Sequence, residues 1–262
     1  MQRLATRHRA LAGPRAGWHV GDIAWQWSQH VGREHEWRIR TWDDLAWSWL
    51  RTSNGQLDFD VHPEHRHLLD EILAEPDARQ TVAFDDDAEV LEALVRHGFE
   101  KPGEVMHFFV RDLLTAPELP RLPEGFHYRT VEDADVPERV AIHRDVWAPS
   151  RVTEESYANV RATWPYRPAL DCVVEAPDSR FAAYAHLWPD DENSVGELEP
   201  VGVRDDFRRR GLGAAVCTFA LRRWHEEGGR EAIVYCLSDE ARALYESIGF
   251  RKHATLVTYS RP

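Results

Sequence analysis

The sequence predicts a mixed α/β fold built as two similar halves joined by a stiff connector. Segments of strand character alternate with segments of helical period along the chain, the pattern of an α/β class. A helix–Gly–Phe–strand unit occurs twice, beginning at Val90–Lys101 and again at Ala241–Lys252. Upstream of each, Leu57–Arg66 has the rhythm of Glu199–Arg208, so the repeat is longer than one element. Between the copies, Pro117, Pro120 and Pro123 fall within seven residues. That spacing blocks both helix and ladder pairing and gives an extended linker. The expected organisation is a loose tail over 1–17, a first domain over 18–114, a linker over 115–124 and a second domain over 125–262.

Each element follows from local signals. The tail carries Arg3, Arg7, Arg9 and Arg15 without an apolar middle, so it reads as neither signal peptide nor core. Seven tryptophans lie between Trp18 and Trp49. The pairs Trp25/Trp27 and Trp47/Trp49 alternate as on strands and predict packed sheet faces. Asp85-Asp86-Asp87 predicts a solvated turn and helix start. The first copy closes with a strand over Val105–Asp112. In the second half, Phe126–Val131 predicts a short strand and Asp133–Val146 a helix. Thr153 opens a second helix whose first turn is acidic. Leu170–Glu175 and Arg180–Trp188 predict a hairpin, followed by a turn at Pro189–Asn193. Val195–Arg204 predicts a strand interrupted by Pro200 and Gly202, residues that mark a bulge or a close backbone approach. Arg210–Glu227 predicts the longest helix, Ile233–Cys236 a buried strand, Asp239–Ile248 a helix and His253–Ser260 the last strand.

Composition narrows the function. Hydrophobic residues are 43% of the 262, enough to bury a sizeable core. Mean hydropathy is -0.55, and no run of about 18 apolar residues suggests a membrane span. The net charge of -13 disfavours nucleic acid as a partner, because such binders need a basic footprint. Cys172, Cys217 and Cys236 are far apart among apolar neighbours, the pattern of reduced thiols in a cytoplasmic protein.

The strongest chemical signal is Arg208-Arg209-Arg210-Gly211-Leu212-Gly213, which follows a strand and opens a helix. Glycines allow close backbone approach. Amide N–H groups then converge at the positive end of the helix dipole, and four arginines lie between Arg204 and Arg210. Together they form a pyrophosphate cradle. The loop lacks the Gly-Lys-Ser/Thr of a Walker motif and the third glycine of a dinucleotide fingerprint.

A strand broken by Pro and Gly, then Arg-x-x-Gly-x-Gly, then a long helix resembles the coenzyme A site of the GNAT acyltransferases. Ala241–Phe250, a helix with Tyr245 followed by Gly-Phe, is similar to the second signature of that family. With the internal repeat, the chain looks like two tandem GNAT-like domains, each a mixed, mostly antiparallel sheet flanked by helices, similar in layout to the mycothiol synthases. The resemblance implies acetyl-CoA as co-substrate, with backbone groups of Val201 and Val203 pairing with its pantetheine arm. It implies that amides from Arg208 to Gly213 (Arg208, Arg209, Arg210, Gly211, Leu212 and Gly213) hold the pyrophosphate. It also implies that Tyr245 protonates the leaving thiolate. Family members often carry Asn where this chain has Ser238, and a hydroxyl replaces one hydrogen bond but not the two-sided pairing of an amide.

Acyl transfer to an amine requires a base, since an alkyl ammonium is protonated at neutral pH. Glu197 and Glu199 lie two apart on one strand, so both point to one face and raise each other's pKa. The acceptor wall is expected to include Trp147, Arg151, Trp164 and Tyr166, where aromatics and arginines suit a planar or anionic group. His62, His65 and His67 crowd together, but no carboxylate or cysteine pattern supports a metal site, and none is expected. The first copy has Leu69 and Glu71 where the second has Gly211 and Gly213. Side chains there block the backbone approach, so no cofactor is expected in the first half. The expected activity is acetyl transfer to an amine of a small molecule by direct attack, in a monomer or homodimer. The alternative is a non-catalytic acyl-CoA sensor or scaffold.

Overall fold

A computed structural model describes residues 1–262. Its start departs from the expected loose tail. Helix α1 (Gln2–Ala12) buries Leu4, Ala5, His8 and Arg9, while Arg3 and Arg7 stay exposed. One face is therefore core and the other solvent, a division that arginine content alone conceals. Helix α2 (Val20–Ser28) starts at a capping box. The His19 ring accepts the Gly21 N–H, and Asp22 accepts the His19 N–H at 2.7 Å. Trp25 and Trp27 therefore sit on a helix and not on a strand, with Trp25 buried and Trp27 45% exposed.

Strands β1 (Trp37–Trp42), β2 (Ala46–Arg51) and β3 (Gln56–Val61) form an antiparallel meander that buries Trp47 and Trp49. A short helix α3 (Leu69–Leu73) leads to β4 (Gln80–Phe84). Asp87 caps α4 (Ala88–Arg96) by accepting the Val90 N–H, and β5 (Lys101–Asp112) follows. After a stretch without regular structure come β6 (His127–Thr130), α5 (Val136–Val146) and α6 (Glu154–Ala162). Thr153 and Ser156 make the capping box of α6. Then come β7 (Asp171–Glu175), β8 (Phe181–Asp190), β9 (Val195–Val203), α7 (Leu212–Glu226), β10 (Glu231–Cys236), α8 (Asp239–Ser247) and β11 (Arg251–Ser260). No helix is long and apolar enough to cross a membrane.

All strands join one sheet of order β1-β2-β3-β4-β11-β5-β10-β9-β8-β7-β6. The order holds an exchange. Strand β5, from the first half, lies between β10 and β11 of the second. Strand β11, from the second half, lies between β4 and β5 of the first. Each half therefore completes its own sheet with the other's last strand. Phe84, Phe108, Val195, Ile233, Ala254 and Leu256 form one buried cluster across this exchange. A second shared cluster packs Ala24 and Trp25 of α2 against Val140, Val152, Tyr157, Val160 and Trp188.

Only two neighbouring pairs in the sheet are parallel, β3/β4 and β9/β10. Strands β9 and β10 pair from Val195 to Glu197 and then separate. On its other side β9 is irregular opposite His186, where Leu198 and Val201 flank the extra residue of a bulge. Pro200 cannot donate to a ladder, which explains the bulge here. The gap between β9 and β10 positions the site.

Candidate active site

A cavity of about 920 Å3 opens at this gap and runs into the first half. Its lining includes Glu197, Glu199, Pro200 and Val201 of β9, Tyr235 and Cys236 of β10, and Ser238, Ala241 and Tyr245 at and within α8. The first half contributes Trp18, Asp22, Trp25, Phe59 and Phe84, among others.

Glu197 is 1% exposed. Burial pushes its pKa up to about 7, against the opposing effects of Asp22 and Arg9. Burial raises Glu199 well above the usual carboxylate range, reinforced by the charges of Asp22 and Glu197. Asp22 is raised by burial and by Glu197. One oxygen from each of the three carboxyls lies within 4.8 Å of the other two. His19 Nδ1 is 3.2 Å from Glu197 Oε2. Burial, with Arg9 nearby, lowers the pKa of that imidazole to about 3. The Glu199 carbonyl accepts Trp188 Nε1–H at 2.7 Å, which fixes the bulge.

Tyr245 is 6% exposed and packs edge-on against Phe250 at 5.8 Å. Burial raises its phenol well above 10, so it holds its proton at neutral pH. Ser238 caps α8, its Oγ accepting the Ala241 N–H at 3.1 Å.

The Arg208–Gly213 loop, which follows β9, lies outside the cavity lining. Gly211 has φ +77° and stands at the N-cap of α7. A side chain there would meet nothing within 4 Å, so the space over the helix start is open. No side chain caps α7, which leaves its first N–H groups available to an anion. Gly213 has a different role, since a Cβ there would lie 2.7 Å from Leu244 and 3.2 Å from Val203. It lets α7 pack on α8 and β9. Val201 lines the cavity and Val203 does not.

The acceptor wall departs in part from expectation. Trp147 and Arg151 line the cavity, but Trp164 and Tyr166 do not. Trp164 is 57% exposed beside α1, its carbonyl accepting Gln2 Nε2–H at 2.9 Å. Tyr166 packs on His186 and Trp188, and its hydroxyl donates to Asp171. Asp22 and Trp25 were not legible as site residues, because they belong to a helix that packs against the other half. The capping residue three positions before Asp22 is a histidine, which is a weak sequence signal for a helix start. His62, Glu64 and His65 also gather ligand atoms within 4.8 Å, with His62 Nδ1 accepting the Glu64 N–H.

Residues 139–250 match the acetyltransferase (GNAT) family. Among curated relatives, a mycothiol acetyltransferase of Saccharomonospora viridis is 27% identical over 226 residues, covering 77% of this chain and 72% of the relative. One from Streptomyces coelicolor is 31% identical over 153 residues, covering 56% of this chain and 49% of the relative. A GCN5-related N-acetyltransferase from Sphaerobacter thermophilus superposes with a TM-score of 0.68 at 18% identity, covering 100% of this chain and 92% of the other. A tandem GNAT protein from the clavulanic acid biosynthesis pathway gives the same TM-score at 14% identity, covering 98% and 93%. The family uses acetyl-CoA as co-substrate, and an open helix start beside two diverging strands fits that molecule's pyrophosphate and extended arm. Residues 139–250 thus carry the match to the acetyltransferase (GNAT) family, and the chain as a whole shares its fold with GNAT proteins, a tandem one among them.

Proposed function

We propose that this protein transfers the acetyl group of acetyl-CoA to a primary amine of a small molecule held between the two halves. Residues 125–262 carry the reaction, residues 18–114 are the degenerate copy, and 115–124 connect them. The observation that carries the reading is the set of buried, unpartnered carboxyl oxygens on Glu197 and Glu199 in the cavity that Tyr245 also lines. Peptide groups of Val201 and Val203 and the amides from Arg208 to Gly213 hold the co-substrate, which supplies an activated acetyl group. Glu197 or Glu199 takes a proton from the acceptor ammonium and frees its lone pair. The amine then attacks directly, and Tyr245 delivers its proton to the departing sulfur. Trp147 and Arg151 flank the acceptor. The curated relatives named mycothiol acetyltransferase support a small-molecule acceptor.

The test is thiol release from acetyl-CoA by the full chain with a panel of amines, with the acetylated product identified by mass. No release with any amine, under conditions where acetyl-CoA binds, overturns the reading.

A further inference from the structure

The catalytic end of the cavity is closed by α2 of the first half. Gly21 lies against Trp188, where a Cβ would be 2.4 Å from the Trp188 Cβ. The Trp188 indole in turn holds the Glu199 carbonyl. This contact places Asp22, in the first turn of α2, beside Glu197 and Glu199. Elsewhere buried carboxylates are paired with a guanidinium: Asp58 with Arg51, and Asp171 with Arg139 at 3.0 Å. Here both oxygens of Glu197 and Oε2 of Glu199 are buried without a hydrogen-bond partner. The other charged or titratable groups facing the cluster are Arg9 on α1, the His19 cap, Arg51 on β2 and Tyr235 on β10. The Arg9 guanidinium is buried without a hydrogen-bond partner, reaches Glu231 only at 3.9 Å, and opposes the rise in the Glu197 and Asp22 pKa values. Buried unpaired carboxyls are strongly disfavoured unless a proton or a cation joins them.

We propose that Asp22, supplied by the first half, completes the acceptor site: with Glu197 and Glu199 it forms one proton-sharing carboxyl cluster that binds the ammonium group of the acceptor and receives its protons. This assignment rests on the acetyl-transfer reading above. The proton count supports a cluster. The ammonium nitrogen loses one proton before its bond to the acetyl carbon forms. It loses a second as the carbon–sulfur bond breaks. Tyr245 gives one proton to sulfur and is reloaded, and the other goes to solvent. A lone carboxylate would still hold the first proton when the second arrives, whereas three carboxyls accommodate both.

The test uses the full chain and three probe amines: n-butylamine, tyramine and putrescine. Asp22→Asn keeps an oxygen to accept the His19 N–H, and Asp22→Glu restores the charge. Calorimetry should show amine binding by the wild type, weakened about ten-fold or more in Asp22→Asn. Binding should be partly restored in Asp22→Glu, with acetyl-CoA affinity unchanged. Equal amine binding in Asp22→Asn overturns the proposal, as does a parallel loss of acetyl-CoA binding. Displacement of the amines by Mg2+ or Zn2+ would make the cluster a metal site and also overturns it. If no probe amine binds, infrared difference spectra of the free protein decide. A protonated-carboxyl band lost in both Asp22→Asn and Glu197→Gln supports the cluster, and its absence from the wild type overturns it. Failure of the acetyl-transfer reading looks different: the wild type would fail to bind acetyl-CoA while the carboxyl band persisted.

Discussion

Strand β9, its loop and α7 have a counterpart in β3, its loop and α3, and the two have diverged in opposite directions. Both begin as a parallel pair that soon separates. In the second half the loop ends at Gly211, over open space, and leads into a helix of 15 residues. In the first half the matching position is Leu69, which is 2% exposed in the core, and the helix has five residues. The carboxylates differ in the same sense. Asp58 is engaged at both oxygens by Arg51 and Gln56, and Asp60 at one oxygen by His8. Glu197 and Glu199 keep buried oxygens free. The first half has turned its gap into packing and ion pairs, and in the proposed reaction the second keeps its gap for chemistry. What the first half retains is a structural hold on the second, through β5 and α2.

The largest expected effect tests that hold. Residues 121–262 expressed alone lose β5, which separates β10 from β11, and lose α2 over Trp188. Two strand edges and a large apolar face would then be exposed. The fragment should be insoluble or lack a cooperative melting transition, and co-expression with residues 1–120 should restore both. A soluble fragment with the melting temperature of the full chain would show the halves to be separate beads.

Next in size is Gly211→Asp, which places an L side chain at φ +77° and a negative charge over the α7 start. Acetyl-CoA binding should fall about 100-fold or more by calorimetry, from one molecule per chain in the wild type. A wild-type stoichiometry of two would mean that the first gap has not been given over to packing. Tyr245→Phe should lower kcat by about 10²–10⁴-fold with acetyl-CoA affinity unchanged, because the hydroxyl acts only as sulfur departs. Full turnover in that variant would remove Tyr245 as the acid.

These contrasts were unequally legible in the sequence. Most second-half elements fall within a few residues of expectation, because their caps and breakers are local: Thr153, Gly211, Ser238 and Gly249. The glycine losses at Leu69 and Glu71 were equally visible. The exchange of β5 and β11 was not, since a strand's own residues do not say which neighbour it pairs with. Helix α1 was hidden because its three arginines look solvated, although Arg9 is buried. Asp22 was hidden for a related reason, as its role exists only after α2 docks on the other half. Tyr166 looked like a ligand contact because an aromatic beside arginine has the same composition whether it lines a cavity or packs a core.

The smallest expected effect is on stability, and its sign distinguishes a carboxylate kept for chemistry from one kept for structure. Glu197 has its pKa raised from 4.5 to about 7 by burial. Between those values the folded protein holds a proton that the unfolded chain has released, so stability is highest below about 4.5 and falls as pH rises through about 7. Glu197→Gln cannot ionise and should reduce that slope without removing it, since Asp22 and Glu199 are raised as well. At about pH 8.5 the variant should melt higher than the wild type by about 5 °C, and near pH 5 the two should coincide. Asp58→Asn should instead lower stability, because it removes one side of an established ion pair. Activity should move the other way from stability in the wild type, with kcat/KM rising through about pH 7 as the base ionises. If Glu197→Gln melts with the same pH slope as the wild type, the proton resides on Asp22 or Glu199. The base would then be Glu199, which lies at the start of the gap where β9 has already left β10.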